Sequence, residues 1–145
     1  MRKIDRSALV SHSAREMFAL VNDVRAYPSF LPWCREAKVL NESEFQAEAS
    51  LRVVKSGIDR WFTTRNVISP GEKIELDLVD GPFDYLRGNW QFQELDSNAS
   101  RISLRLEFRF SSRLLGIIFG PVFNYICDSL IDAFIARADD VYRGS

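Results

Sequence analysis

The chain has 145 residues, 46% hydrophobic and 27% charged, which is typical of a soluble globular protein with one core. Its formal net charge of −1 gives no overall attraction to nucleic acid or anionic lipid, so such contacts require a local patch. Two cysteines cannot form a disulfide framework, no signal peptide is visible, and no apolar run reaches the roughly 18 residues of a membrane span. We expect one domain over residues 1–145, in the cytoplasm.

The N-terminal third predicts one strand followed by two short helical segments. Apolar residues alternate over residues 3–10, as in a strand with one buried face. Ser13 and Glu16 then have the spacing of a capping box, which satisfies the first backbone N–H groups of a helix. Apolar residues at helical spacing continue that helix to about Asn22. Residues 24–33 carry two prolines, so we predict a short helix or turn that closes one end of the core.

The middle of the chain predicts a series of strands separated by compact turns. Apolar residues alternate with Ser103, Arg105, Glu107 and Arg109 over the last of these segments, which indicates one buried and one exposed face. Short polar turns between the segments favour antiparallel hairpins. An antiparallel sheet with one apolar face needs a single cover for that face. The predicted strands are 37–40, 45–54, 58–68, 74–79, 85–95 and 102–110.

The last third predicts a long helix that provides this cover. Pro121 either begins the helix at its first turn or kinks a longer one. We therefore predict an α+β fold, in which a curved, roughly seven-stranded antiparallel sheet wraps around the C-terminal helix, with short helices between the first two strands. The apolar stripe of that helix contains Phe123, Ile126, Cys127, Leu130, Phe134, Ala138 and Val141.

Small and polar residues on the predicted inner face of the sheet leave two interpretations open. Ala47, Ala49 and Gly88 are smaller than a sheet packed directly on a helix prefers, and Thr64 and Asn66 are polar. This pattern suits a mostly apolar cavity with a few placed polar groups, which holds a ligand. Alternatively, the small residues make room for large aromatic side chains, and the polar groups bond to the backbone.

No residue set in the sequence indicates catalysis or metal binding. The single histidine, His12, lies at the predicted boundary of the first strand and helix, beside the capping serine. The inner-face rows contain no paired carboxylates, and neither a phosphate-binding glycine loop nor a metal-ligand cluster is present. We expect a protein that is not an enzyme and has no metal, with a bound ubiquinone or lipid as the only cofactor-like molecule.

Four segments of the chain resemble a known family. They read VNDVRAYPSFLPWC (21–34), GIDRWFTTRN (57–66), LVDGPFDYLRGNWQF (78–92) and AFIARADDVY (133–142). These segments resemble the polyketide cyclase-like group of the START superfamily, which contains the coenzyme Q-binding proteins and the bacterial ribosome-association toxins. The resemblance implies the START/Bet v 1-like helix-grip fold, with a hydrophobic cavity between sheet and helix that is associated with polyisoprenoid quinones. It is closer to the bacterial branch, for which it implies binding to the large ribosomal subunit and blocking of subunit association.

Our first hypothesis is therefore non-enzymatic binding of ubiquinone or another polyisoprenoid lipid, in support of respiratory quinone function. A carrier of such a ligand needs a loading route, for which we consider transient contact with the inner membrane through Leu114–Phe119 together with Tyr27, Phe30, Leu31 and Trp33. The predicted cavity walls are Phe45, Ala47, Ala49, Phe62, Thr64, Trp90, Phe92, Phe123, Leu130 and Phe134. The predicted cavity mouth is Tyr27, Phe30, Trp33, Gly81, Pro82 and Phe83.

The alternative hypothesis is a ribosome-association toxin that acts through its outer surface. Arg87, Arg105 and Arg109 point outward and could contact RNA phosphates if they cluster on one face. The competing interpretation is an ordinary solvated face, because glutamates are interleaved with these arginines. Whether an antitoxin partner exists stays open, and a polyketide cyclase or aromatase is the third hypothesis.

Overall fold

The computed structural model describes residues 1–142, which form one seven-stranded antiparallel sheet covered by a long helix. The strands lie in the order β1-β7-β6-β5-β4-β3-β2, so β2 to β7 form a meander and β1 pairs with β7. This confirms the predicted fold class. The elements are β1 (Arg2–Val10), α1 (Ala14–Asn22), a 3₁₀ helix (Val24–Ser29), β2 (Cys34–Leu40), β3 (Gln46–Lys55), β4 (Ile58–Ser69), β5 (Lys73–Asp80), β6 (Phe83–Asp96), β7 (Ala99–Phe110) and α2 (Arg113–Tyr142).

The connection from β1 to β2 is built as the sequence predicts. The capping box is present, because the Ser13 hydroxyl accepts from the Glu16 backbone N–H at 3.1 Å and the Glu16 carboxylate accepts from the Ser13 N–H at 3.0 Å. Pro28 lies inside the 3₁₀ helix, and the Tyr27 hydroxyl donates to the Val21 carbonyl. The capping box closes the first turn of α1, and the Tyr27 bond joins the 3₁₀ helix to the end of α1.

Strands β3 and β4 are joined by a tight two-residue turn. Ser56 and Gly57 link β3 to β4 with φ values of 52° and 81°, and Lys55 pairs with Ile58 across the turn. Positive φ at both central residues is the backbone of a type I′ hairpin, whose twist matches that of the flanking strands. The register along β3 and β4 then continues without interruption from Lys55 to Gln46.

Helix α2 is continuous and begins before Pro121. The Ser112 hydroxyl accepts from the Leu115 backbone N–H at 3.1 Å and so caps the first turn. Pro121 therefore lies within a longer helix, which decides between the two predicted alternatives. Val141 does not belong to the buried stripe, because it is 43% exposed and the last turn faces the rest of the protein through Ala138 and Tyr142.

By length and composition alone, α2 is also the one helix in residues 1–142 that could cross a membrane. Its most apolar 18-residue window has a mean hydropathy of 1.7, and 39% of that window is buried in the structure. This corrects the expectation that no segment reaches that length. The inner face of α2 packs on the sheet through Phe119, Phe123, Ile126 and Phe134, so this face is part of the core.

Candidate functional site

A cavity of about 90 Å³ lies between the sheet and the middle of α2. Ala49 and Trp90 line it from the sheet, Phe123 and Leu130 line it from α2, and Trp33 lines it from the segment before β2. The small Ala49 side chain leaves space where a larger residue would reach the helix. The arrangement is an apolar chamber with few polar groups, which suits a small hydrophobic guest.

One polar pair faces this apolar chamber from β4. Thr64 and Asn66 are both buried, and the Thr64 hydroxyl donates to the Asn66 side-chain oxygen at 2.7 Å. The Asn66 amide nitrogen makes no hydrogen bond to the described residues. Because an amide N–H donates to oxygen acceptors, Asn66 can donate to a guest that carries a carbonyl or another acceptor.

The structure places most of the predicted wall residues beside the cavity. Ala47 and Phe92 are buried on the inner face but do not reach the cavity lining. The strands and α2 thus meet around a smaller space than the sequence pattern suggests. The predicted walls that line the cavity are Ala49, Phe62, Thr64, Trp90, Phe123, Leu130 and Phe134.

Phe45 is the one predicted wall residue that the structure places in solvent. It is 60% exposed and lies just before β3, which begins at Gln46. The alternating pattern continues through Phe45 in the sequence, but the strand does not, so its side chain is not directed to the inner face. The prediction for this residue is wrong.

The predicted mouth residues divide between the cavity lining and the aromatic core. Tyr27 and Trp33 line the cavity itself and are buried. Phe30 packs edge-on against Phe134 with ring centroids 5.4 Å apart. Gly81 and Pro82 precede Phe83, which is also buried, so this loop does not form an exposed rim.

An aromatic cluster fills the rest of the space between the sheet and the N-terminal half of α2. The centroid of the Phe123 ring lies 5.0 Å from that of Phe83 and 4.8 Å from that of Phe108. Phe110 and Phe119 complete the cluster, and the Phe83 and Phe110 rings stack at 5.0 Å. These rings are the reason that the cavity is confined to the middle of the helix.

Glycine at position 88 is explained by the packing of two strands and not by space for a ligand. It does not line the cavity between sheet and helix. A Cβ atom at this position would lie 2.0 Å from the Arg105 carbonyl oxygen and 2.6 Å from the Leu106 side chain. Glycine is required here because the backbones of β6 and β7 approach closely.

The sequence prediction missed part of the lining. The alternation in β6 and β7 places Leu86, Leu104 and Leu106 on the inner face, so this signal was available. Cys127 lies on the predicted helical stripe, one turn from Phe123 and Leu130. The lining residues outside the predicted wall and mouth are Val24, Leu51, Asn66, Leu76, Leu86, Leu104, Leu106, Ile126 and Cys127.

Both cysteines are buried and free. Burial raises the pKa of the Cys34 thiol from 9.0 to about 11 and that of the Cys127 thiol to about 12. Burial also raises the pKa of Tyr27. The two titratable groups that line the cavity, Tyr27 and Cys127, are therefore neutral at physiological pH.

We expect both thiols to react slowly with a thiol reagent such as Ellman's reagent at pH 8 and to react fully in denaturant, because only the thiolate is nucleophilic. Folding raises both thiol pKa values above 9.0. The contribution of the neutral thiols to the free energy of unfolding is therefore fully present below pH 9 and is lost as the pH rises toward 11 and 12. Absorbance of the released thiolate and denaturant unfolding at increasing pH measure the two effects. Rapid labelling of either cysteine in the native protein would contradict the assigned burial.

His12 has a structural role at the end of α2. Its Nε2 atom lies 2.8 Å from the Asp139 carboxylate, and its backbone carbonyl accepts from the Ser100 hydroxyl at 2.9 Å. The Tyr142 hydroxyl donates to the Glu16 carbonyl at 3.0 Å in the same region. These contacts join the last turn of α2 to the start of α1, and His12 is not among the cavity-lining residues.

The three predicted basic residues all lie on the outer surface of the sheet, and each pairs with a carboxylate. Arg87 pairs with Asp77 at 2.7 Å, and Arg109 pairs with Asp84 at 2.8 Å. Arg105 lies 3.6 Å from Asp5, its partner across β1 and β7. A shallow depression on the outer face contains Arg87 and Arg105 together with Lys3 and Glu107, whereas Arg109 lies outside it.

The fold and the cavity together define a helix-grip protein: a bent antiparallel sheet holds one long helix across an internal apolar space. Among solved structures, the Zhui aromatase/cyclase from Streptomyces sp. R1128 superposes with a TM-score of 0.82 at 18% identity, covering 99% of this chain and 96% of that one. At this identity the likeness establishes the fold. The family described as polyketide cyclase / dehydrase and lipid transport matches residues 10–135.

The chain is similar to curated proteins over nearly its whole length. It is 50% identical to the ribosome association toxin RatA of Vibrio cholerae over 142 residues, which cover 98% of this chain and 99% of that protein. It is 46% identical to RatA of Pseudomonas aeruginosa, covering 96% of each chain. The mitochondrial coenzyme Q-binding protein COQ10 of Drosophila melanogaster is 26% identical, covering 90% of this chain and 55% of that protein. The chain therefore belongs to the polyketide cyclase / dehydrase and lipid transport family.

Proposed function

We propose that this chain associates with the ribosome, through its large subunit, and so limits subunit joining. The observation that supports this proposal is the 50% identity to a ribosome association toxin over 99% of that protein's length. The identity to the coenzyme Q-binding protein is 26% and covers 55% of that protein. We therefore place ribosome association before quinone binding, which reverses the order that the sequence alone favoured.

We propose the outer depression around Arg87 and Arg105 as the surface that contacts ribosomal RNA. Its cations are paired in the free protein, with Lys3 3.6 Å from Glu107 and Arg105 3.6 Å from Asp5. Exposed ion pairs contribute only about 0–1 kcal/mol each, so an RNA phosphate can replace a carboxylate at little cost. Contacts of this kind weaken as salt concentration rises.

Cosedimentation of the purified protein with large ribosomal subunits tests this proposal. We expect the wild-type protein to sediment with the subunits at low salt, and the Arg87→Glu, Arg105→Glu double variant to lose at least about tenfold in affinity. Arg25→Glu is the matched control, because Arg25 pairs with Glu42 at 3.1 Å on another part of the surface. Equal sedimentation of the double variant and the wild type would exclude this surface. Absence of the wild-type protein from the subunit fraction would refute ribosome association.

We propose, as a second function, that the cavity binds a small apolar group with a hydrogen-bond acceptor. The observation that supports it is the position of Asn66, which lines the apolar chamber and whose side-chain oxygen already accepts from Thr64. The volume of about 90 Å³ is below the roughly 300–1,000 Å³ of typical ligand pockets. An isoprenoid quinone therefore requires α2 to move away from the sheet. Neutral Tyr27 and Cys127 in the lining support binding and not acid–base catalysis.

Titration with decylubiquinone, followed by intrinsic fluorescence, tests the second function because Trp33 and Trp90 both line the cavity. We expect saturable quenching in the wild-type protein and its loss in Ala49→Trp, whose indole would occupy the chamber. Asn66→Leu should weaken binding about tenfold, because it removes the donor. Asn22→Leu, at the exposed end of α1, should bind as the wild type does. Unchanged binding by Ala49→Trp would exclude the cavity as the site.

A further inference from the structure

The first turns of α2 expose an aliphatic face on the side opposite the core. Leu114, Ile117 and Ile118 lie at i, i+3 and i+4, and each exposes more than half of its surface. Pro121 and Tyr125 continue the same stripe along the helix and are also exposed. Single exposed apolar residues are ordinary on soluble proteins, but a contiguous stripe marks a surface that another body covers.

Cations flank this stripe on both sides. The Arg2 guanidinium lies against the helix at Gly120, where an added Cβ would be 2.6 Å from its Nη1 atom. Arg2 and Arg113 share a shallow groove with Ile117 and the N-terminal residue. On the other side, the Lys55 ammonium lies 4.4 Å from the centroid of the Tyr125 ring.

These cations are not neutralised by nearby acids. Among residues 1–142, Arg2, Arg113 and Lys55 form no ion pair, in contrast to the arginines on the outer face of the sheet. The helix from Arg113 to Tyr125 contains no aspartate or glutamate. An apolar stripe with unpaired cations at its margins is complementary to a surface that is hydrophobic inside and negatively charged at its boundary.

We propose that this α2 docking face (Leu114, Ile117, Ile118, Pro121 and Tyr125, flanked by Arg2, Arg113 and Lys55) binds the surface of an anionic lipid bilayer. The aliphatic side chains enter the acyl boundary, and the cations contact the lipid headgroups. The helix then lies in the plane of the interface and does not cross it, because its opposite face stays packed on the sheet through Phe119 and Phe123.

The chemistry of the face favours lipid over two other occupants. A nucleic-acid surface places cations and polar groups against phosphates, whereas the centre of this face is leucine and isoleucine and its cations lie only at the margins. A second copy of the chain, docked through a twofold axis, would pair this face with itself, and the face offers no acid to Arg2 and Arg113. The proposal does not depend on ribosome association. The same helix therefore presents the docking face on its outer side and lines the cavity with Phe123 on its inner side.

Flotation of the purified protein with lipid vesicles tests the proposal. We expect the protein to float with vesicles of phosphatidylcholine and phosphatidylglycerol, to float less with phosphatidylcholine alone, and to be released by high salt. Ile117→Ser, Ile118→Ser should lower the partition constant at least about tenfold. Arg2→Gln and Arg113→Gln should each lower it about fivefold on anionic vesicles only.

Matched controls distinguish binding through this face from nonspecific binding by exposed apolar or basic residues elsewhere. Leu9 is 67% exposed, compared with 65% for Ile117, so Leu9→Ser makes an equally exposed aliphatic residue polar on the distant end of β1. Arg101→Gln removes an exposed cation that forms no ion pair among the described residues. Neither control should change flotation. Failure of the wild type to float, equal losses in the controls, or a concentration-dependent dimer that the Ile117 and Ile118 variant abolishes would each overturn the proposal.

Discussion

Replacing Gly88 with alanine is expected to lower the free energy of unfolding by about 3 kcal/mol, the upper end of ordinary overpacking costs. The added Cβ would lie 2.0 Å from the Arg105 carbonyl oxygen, so β6 and β7 must separate where Gly88 pairs with Leu106. Backbone atoms in the centre of a sheet cannot move aside as the end of a flexible side chain can. Denaturant unfolding followed by circular dichroism measures the loss.

Gly116→Ala is the matched control for this variant. The change is chemically identical, but the nearest atom to the added Cβ is Phe110 Cδ2 at 3.5 Å, an ordinary contact. Because alanine favours a helix over glycine by about 0.5–1 kcal/mol, Gly116→Ala should be neutral or stabilising. If both variants unfolded at the same denaturant concentration, close approach of the strands would not be the reason for Gly88.

Phe123→Ala is expected to lower the free energy of unfolding by about 3–5 kcal/mol, as for other large-to-small changes in cores. Phe123 is buried in the aromatic cluster and also lines the cavity, so its loss joins the cavity to new empty space. Benzene should therefore raise the melting temperature of the variant more than that of the wild-type protein, since a ligand that binds only the folded state stabilises it.

Phe45→Ala makes the same chemical change at a residue that is 60% exposed. Its free energy of unfolding should stay within about 0.5 kcal/mol of the wild-type value. A large loss in Phe45→Ala would mean that this side chain packs in the core, as the alternating pattern predicts. A small loss in Phe123→Ala would mean that the aromatic cluster contributes little to stability.

The fold could be predicted from the sequence because local signals agreed with one another. The capping box at Ser13 and Glu16 places the start of α1, and the turn at Ser56 and Gly57 sets the register of β3 and β4. The apolar stripe of the last third provides the cover that a one-faced sheet needs. Each of these features depends on residues close in sequence, which is why one sequence was sufficient.

The candidate site was less predictable because its dimensions depend on contacts between distant elements. The pairing of Arg105 with Asp5 requires β1 to lie beside β7, and no local pattern states that order. The size of the cavity depends on how closely Phe83 and Phe108 approach Phe123, which residue types alone do not give. The pattern that includes Phe45 could not show where β3 begins.

The strand order also determines when the sheet can form during synthesis of the chain. The one neighbour of β1 in the sheet is β7, which begins at Ala99, and the covering helix follows later still. During synthesis at about 5–20 residues per second, the first strand therefore waits on the order of 5–20 s before its hydrogen-bonding partner exists. Until then the nascent polypeptide keeps its inner surface uncovered, so the native state is reached only after α2 has been synthesised.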